Sequence, residues 1–321
     1  MKVRTAILLG LMLAAADAAS QNRGWLQTID SMWVRWYRRP NRDTTFVVRP
    51  ATNWTLKTRA NLSWTTIGTE GDYAGHIFQS AFRSDIRAKA SLSVGYRGLT
   101  LSASVNPTMF TQNPTDVELG LRAYGRRLGA EVMLSEVNTL AGWARHDRDS
   151  VPMPEGEVTV RRLATSAYYV FDPRRFSYPA AISQSYVQRR SGGSALAAVA
   201  LYGLQLENGD AFPSKLDSWC FSVGGGYGYN LVVRRWMFHL SALPTFIVVS
   251  RRDYRIDNKV YRIDGSFPEV IITARGAVNY TFGRCFAGIT AQLYYMHTGS
   301  ESHLQLNNLD WQVSAYWGLR L

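Results

Sequence analysis

Trp311-Gln-Val-Ser-Ala-Tyr-Trp-Gly-Leu-Arg-Leu321 ends the chain with strict alternation. Trp311, Val313, Ala315, Trp317, Leu319 and Leu321 share one face, and Gln312, Ser314, Tyr316, Gly318 and Arg320 the other. A period of two is a β-strand with one apolar and one wet face. An apolar strand at the carboxyl terminus, behind a secretory leader, is the sequence habit of outer-membrane β-barrels. The same alternation recurs about a dozen times. It is clearest at 53–66, where Trp54, Leu56, Ala60, Leu62 and Trp64 oppose Lys57, Arg59, Asn61 and Ser63. At 84–97, Ile86, Ala88, Ala90, Leu92, Val94 and Tyr96 oppose Asp85, Arg87, Lys89, Ser91 and Ser93. The fold class read from this pattern is all-β: a transmembrane antiparallel β-barrel of about 12 strands.

Composition agrees. After the leader, no run reaches the ~18 apolar residues of a membrane helix, although 46% of the 321 residues are hydrophobic. The 10 Trp, 17 Tyr and 13 Phe are what two interfacial girdles require. Residues 1–20 read as a cleavable signal: Lys2 and Arg4, an apolar Ala6–Ala16, then small residues with cleavage near Ala18 to Ser20. Residues 21–43, with Trp25, Trp33, Trp36 and Tyr37, read as an irregular periplasmic lead-in, and 44–321 as the barrel. The expected location is therefore the outer membrane of a Gram-negative bacterium. Cys220 and Cys285 fall at opposite ends of such a barrel, so no disulfide is expected.

Net charge is +12, carried by seven Arg doublets among other sites. No recognition helix or base-stacking motif accompanies it, which argues against nucleic acid. Arg chelates phosphate bidentately, so outer-membrane lipid, including lipopolysaccharide, is the expected partner. Strand charges fall on the wet, lumenal phase. One Arg or Lys on the lipid face would cost roughly 2–4 kcal/mol at midplane. Lys57, Arg59, Asp85, Arg87, Lys89 and Arg275 are thus the predicted lumen and selectivity residues.

Turns after even-numbered strands are short, for example Arg97-Gly98 and Gly283-Arg284, as periplasmic turns are. The connection after the sixth strand, residues 172–194, breaks the rule. Loops of that length are usually functional or disordered, and this one is too aromatic for disorder. It is expected to fold into the lumen as a plug carrying Arg174, Arg175, Phe176, Tyr178, Gln184, Gln188, Arg189 and Arg190. Gln184, Gln188, Arg189 and Arg190 would meet the wall acids Asp85, Glu118, Glu131 and Asp310. A periplasmic flap is the plainer alternative, and a misplaced strand a third.

Tyr169-Val-Phe-Asp-Pro-Arg-Arg-Phe-Ser-Tyr-Pro-Ala-Ala181, Gln184-Ser185, Gln188-Arg-Arg-Ser-Gly-Gly-Ser194, Gly226-Tyr-Gly-Tyr-Asn230 and the turn Gly125-Arg-Arg-Leu-Gly129 resemble the family catalogued as domain of unknown function 4421. Asp172 and Gly192 stand where Asn and Ala would be expected. The resemblance implies a secreted bacterial outer-membrane barrel and supplies no activity.

No His-Glu-x-x-His, Cys-x-x-Cys, calcium loop or nucleotide-binding glycine loop occurs, so no cofactor is expected. No Gly-x-Ser-x-Gly marks a hydrolase. Asp72, His76, His146, Asp147 and Asp149 could converge at the outer rim, but solvated loop charge is the plainer reading. The chain reads as a passive or gated conduit, or a binding barrel, for a small polar or anionic solute, and not as an enzyme. A closed structural or interaction barrel is the alternative, with an outer-leaflet lipid-modifying enzyme third.

Overall fold

The computed structural model describes residues 31, 44–73, 76–110, 115–147, 149–209, 213–256, 259–263, 268–299 and 305–321. The signal and nearly all of the lead-in expected above lie outside the described residues. Asp43–Leu321 forms one compact unit.

The strands are β1 (Val47–Val48), β2 (Trp54–Tyr73), β3 (His76–Ser84), β4 (Arg87–Tyr96), β5 (Leu99–Val105), β6 (Asp116–Tyr124), β7 (Leu128–His146) and β8 (Asp149–Val170). A short helix, α1 (Tyr178–Ile182), and β9 (Val187–Gln188) follow. The chain continues through β10 (Gly192–Asn208), β11 (Ser214–Val233), β12 (Trp236–Ile256), β13 (Lys259–Ile263), β14 (Val270–Phe282), β15 (Cys285–Thr298) and β16 (Gln305–Arg320). Twelve of them close an antiparallel ring in the order β2, β4, β5, β6, β7, β8, β10, β11, β12, β14, β15, β16 and back to β2. First and last strands meet in register, Ala60 opposite Ala315, and the amides of Trp54 and Leu321 each donate to the other's carbonyl at 3.1 and 2.9 Å. Closure matters because no water satisfies a sheet edge inside a bilayer. Among the described residues no helix is long and apolar enough to cross a membrane; the strands do the crossing.

The outer face is the apolar phase. Leu62, Leu92, Leu101, Leu134, Leu240 and Ile289 are exposed to it. Trp54 lies against Tyr96 (centroids 4.7 Å apart) and Trp236 against Tyr280 (4.8 Å), at the end where chain and short turns gather. That end is called the near end below.

The wall changes along its height. β5 and β6 stop at Val105 and Asp116, and above them β3 pairs directly with β7, Ser84 opposite Leu140 and Phe78 opposite His146. The ring thus loses two strands towards the far end, and barrel diameter falls with strand number. The long polar connections expected at that end are largely continuations of the strands, such as the hairpin of β12 and β13.

The junction of β3 and β4 corrects one lumenal assignment. Phe82 and Ser84 point inward, and so do Arg87 and Lys89, with both Asp85 and Ile86 exposed between them. Two residues where alternation allows one shift the phase, so Asp85 faces away from the lumen. Lys57, Arg87 and Lys89 are buried inside, and Arg59 and Arg275 half-buried, as their phase requires.

Candidate functional site

Residues 172–194 fill the near mouth, and local chemistry explains how. Ser177 caps α1, its hydroxyl accepting from the Ala180 amide at 3.3 Å, and Pro179 sits in the first turn. Caps of this type satisfy amides that a short helix leaves open. The wall then holds the segment by its carbonyls. Lys57 Nζ donates to Ile182 O (3.1 Å), Asn279 Nδ2 to Ala181 O (3.2 Å) and Asn230 Nδ2 to Ser177 O (2.9 Å). Gln188 ties the segment to itself, accepting from the Ser177 amide at 3.0 Å and donating to Arg190 O at 2.9 Å. β9 also pairs with β1, Val47 opposite Gln188.

Phe176, Tyr178, Gln184 and Gln188 are buried in this plug, whereas Arg174, Arg175, Arg189 and Arg190 are exposed. The expected pairing with wall acids is therefore incorrect. Gln184 donates to Tyr316 Oη at 3.3 Å and to Ala181 O at 3.0 Å. Glu118, Glu131 and Asp310 are already held by wall cations, so the guanidiniums stay in solvent. Glycine in β11 has a concrete reason: a Cβ on Gly228 would lie 2.7 Å from Phe176 Cζ. Gly228→Leu is expected to unseat the plug, read as protease cleavage near Arg174 and Arg189 in a barrel that keeps its heat-modifiable mobility. Protection equal to wild type would refute that packing role.

Above the plug lies a chamber of about 180 Å³. Arg275 grips Glu131 with both terminal nitrogens (2.7 and 3.0 Å), and Arg122 approaches the same carboxylate at 3.7 Å. Arg87 and Lys89 face Asp116 at 3.2 and 3.4 Å, and Lys89 also faces Glu118 at 3.4 Å. Arg162 bonds Asp310 at 2.9 Å. Arg59 has no carboxylate within ion-pair distance among the described residues, and its Nε and Nη2 are buried without a hydrogen-bond partner. Arg87, Lys89, Arg122, Arg162 and Arg275 line the chamber with Glu118, Glu131 and Asp310; with Asp116 beside Arg87 and Lys89, and Lys57 and Arg59 on the same inward phase towards the plug, this part of the lumen sets seven cationic groups against four carboxylates among the described residues. Tyr124, Tyr168, Tyr178, Tyr202 and Tyr294 surround them. His239 is also buried, against Asn230 Oδ1 (2.7 Å) and Ser241 Oγ (3.0 Å), with Phe176 and Tyr178 beside its ring.

Beyond the chamber the lumen turns apolar, which strand alternation did not foretell. Ile67, Phe82, Leu140, Val158, Val160, Leu204, Leu206, Leu216, Ile271, Met296 and Leu306 form one buried cluster. Arg252 and Glu269 are embedded there as a hydrogen-bonded pair. This layer coincides with the loss of β5 and β6 from the ring, where inward side chains reach across a narrower bore. Cys220 is buried in the same layer, and both cysteines are free thiols. At the far rim, His76, His146 and Asp147 do meet, with His76 Nδ1 2.9 Å from Asp147 Oδ2. Donation from the His76 ring and from the Ile77 amide holds the Asp147 carboxyl below the usual carboxylate range.

The family model described as Domain of unknown function (DUF4421) matches residues 41–320. The chain belongs to this family. The family match spans the wall, chamber and plug together. No curated protein matches the sequence. Among solved structures, the chain is similar to the translocator domain of autotransporter NalP from Neisseria meningitidis, with 11% identity, TM-score 0.37, and 96% of this chain and 97% of that one covered. It is similar to OmpT, an outer membrane protein of Vibrio cholerae (11%, TM-score 0.33, 84% and 99%), and to the Pseudomonas putida toluene transporter TodX (10%, TM-score 0.31, 85% and 91%). At these scores the likeness carries no argument about function.

Arg122, Arg162 and Asp116 were absent from the lumenal set read from sequence. The signal was present for Arg122: Leu119, Leu121 and Ala123 face outward, so Arg122 lies on the wet phase. Asp116 and Arg162 needed the register of β6 and β8 to place them.

Proposed function

We propose that this protein is a closed outer-membrane barrel that binds a small anionic solute in its internal chamber. The excess of cations over carboxylates there carries the reading. Guanidiniums do not give up their protons to relieve burial, and unpaired charge in a poorly hydrated enclosure is costly. A bound anion would offset that cost. Arg59 provides the sharpest instance, because its Nε and Nη2 have no acceptor among the described residues.

The plug is the point of access in this reading, and with the signal removed near Ala18 to Ser20 the near end faces the periplasm. The apolar layer shuts the outer half against a standing water path, which favours a binding barrel over an open pore. Arginines of the far hairpin would contact lipopolysaccharide phosphates. Arg251 and Arg262 are exposed there and already share Asp253, at 3.0 and 3.4 Å.

Arg59→Gln tests the assignment because it strands no acid. The refolded wild type is expected to gain thermal stability on titration with inorganic phosphate, sulfate or a small carboxylate. The variant should be at least as stable without anion and lose most of that gain. Indifference of the wild type to every anion in such a panel would remove the binding reading and leave a closed structural barrel.

A further inference from the structure

The far rim carries a second site with different chemistry. His76 opens β3, His146 ends β7, and Asp147 follows in the turn. Pairing of β3 with β7 brings the three together. Asp147 adopts a left-handed backbone, φ 54°, a region Asp enters more readily than most residues with a Cβ but in which its surroundings must still hold it. Three bonds do so. The Asp147 amide donates to Ile77 O at 2.8 Å, the Ile77 amide returns a bond to Asp147 Oδ1 at 2.9 Å, and Arg145 Nε donates to Asp147 O at 2.7 Å. The carboxylate is thereby fixed with Oδ2 turned towards both imidazoles.

His146 supplies the observation that points to a ligand. Its ring is stacked on Phe78, centroids 4.9 Å apart at 18°, which fixes its plane. Its Nε2 is buried without a hydrogen-bond partner, 3.8 Å from Asp147 Oδ2. Buried polar atoms in folded proteins are nearly always satisfied, and the exceptions call for an explanation. His76 Nδ1 approaches the same oxygen at 2.9 Å. One donor atom from each residue lies within 4.8 Å of the other two.

We infer that His76, His146 and Asp147 form a binding site for a divalent transition-metal ion of the zinc type, with three protein ligands and one position open to water. Tetrahedral zinc with bonds of about 2.0–2.1 Å keeps its donor atoms about 3.4 Å apart, and the observed separations of 2.9 and 3.8 Å bracket that value. Two imidazoles and one carboxylate suit zinc, copper or nickel and are wrong for calcium or magnesium, which take oxygen. The Arg145 guanidinium beside the turn sets a moderate affinity by repelling the ion. Phe78 and the turn hydrogen bonds act as positioning groups, because pre-formed geometry lowers the ordering cost of binding.

The test uses the refolded, untagged protein and Co²⁺ as the probe. One Co²⁺ per chain is expected, with the strong visible bands of a tetrahedral centre, displaced by Zn²⁺. His146→Ala and Asp147→Asn should weaken Co²⁺ binding by more than about 100-fold, beyond the roughly 10–100-fold cost of losing an outer-shell partner. His297→Ala, elsewhere on the far side, should leave binding unchanged. Heat-modifiable mobility of each variant separates loss of the site from loss of the barrel. A wild type that gives no saturable cobalt spectrum overturns the assignment. So does a His76→Ala/His146→Ala double variant that binds cobalt as the wild type does.

Discussion

Replacing Glu131 with alanine is expected to destabilise the folded barrel by about 3–5 kcal/mol, the cost of leaving a buried charge without its partner. Glu131 accepts from Arg275 at 2.7 and 3.0 Å and from the Tyr124 hydroxyl at 2.7 Å, with Arg122 at 3.7 Å. Alanine would leave two guanidiniums facing each other across the chamber. The measurement is the urea midpoint of the refolded protein in micelles, followed by tryptophan fluorescence. Glu131→Gln keeps the volume and one acceptor and should cost less. A loss below about 1 kcal/mol, the range of exposed pairs, would mean that the chamber is freely watered and that the cation excess has little force.

The largest functional contrast is expected in planar bilayers. Two closures stand in series, the plug at the near mouth and the apolar layer beyond the chamber. Wild type should therefore be electrically silent, and so should a deletion of 174–190, because an apolar constriction excludes ions by dewetting. Combining that deletion with Leu140→Ser and Leu206→Ser, which wet the layer, should give a steady conductance of anionic preference. The preference follows from Arg59, Arg87, Arg122, Arg162 and Arg275 lining the opened path. Steady conductance in wild type would show that the apolar layer is not a barrier. Cation preference in the triple variant would refute the charge assignment.

Much of the wall was legible in advance. Alternation along 53–66, 84–97 and 311–321 named the strands and the lipid face, because a bilayer punishes a misplaced charge on every strand. The even ring of twelve and the in-folded segment at 172–194 followed from turn lengths and one exception among them. The chamber was only partly legible. Lys57, Arg59, Arg87, Lys89 and Arg275 lie on the inward phase that alternation assigns them, because each sits deep in a regular strand. Asp85 was misplaced because the chain passes from β3, paired with β7, to β4, paired with β5, through one extra residue, a tertiary event with no local signature. Arg189 and Arg190 of the plug were expected to meet wall acids, yet those acids already have partners on the wall itself, Arg275 of β14 reaching Glu131 of β7 and Arg162 of β8 reaching Asp310 of β16 across the lumen.

Sequence alone thus determined the kind of object: a closed sheet, its lipid face and its unusual segment. Those features repeat at short range, and solvent imposes them residue by residue. Tertiary structure alone decided which carboxylate each cation meets, that Arg59 makes no ion pair among the described residues, that β5 and β6 end early and the bore above them fills with apolar side chains, and that His76 joins His146 and Asp147 at the rim. These depend on register between strands tens of residues apart, and register is fixed only when the ring closes.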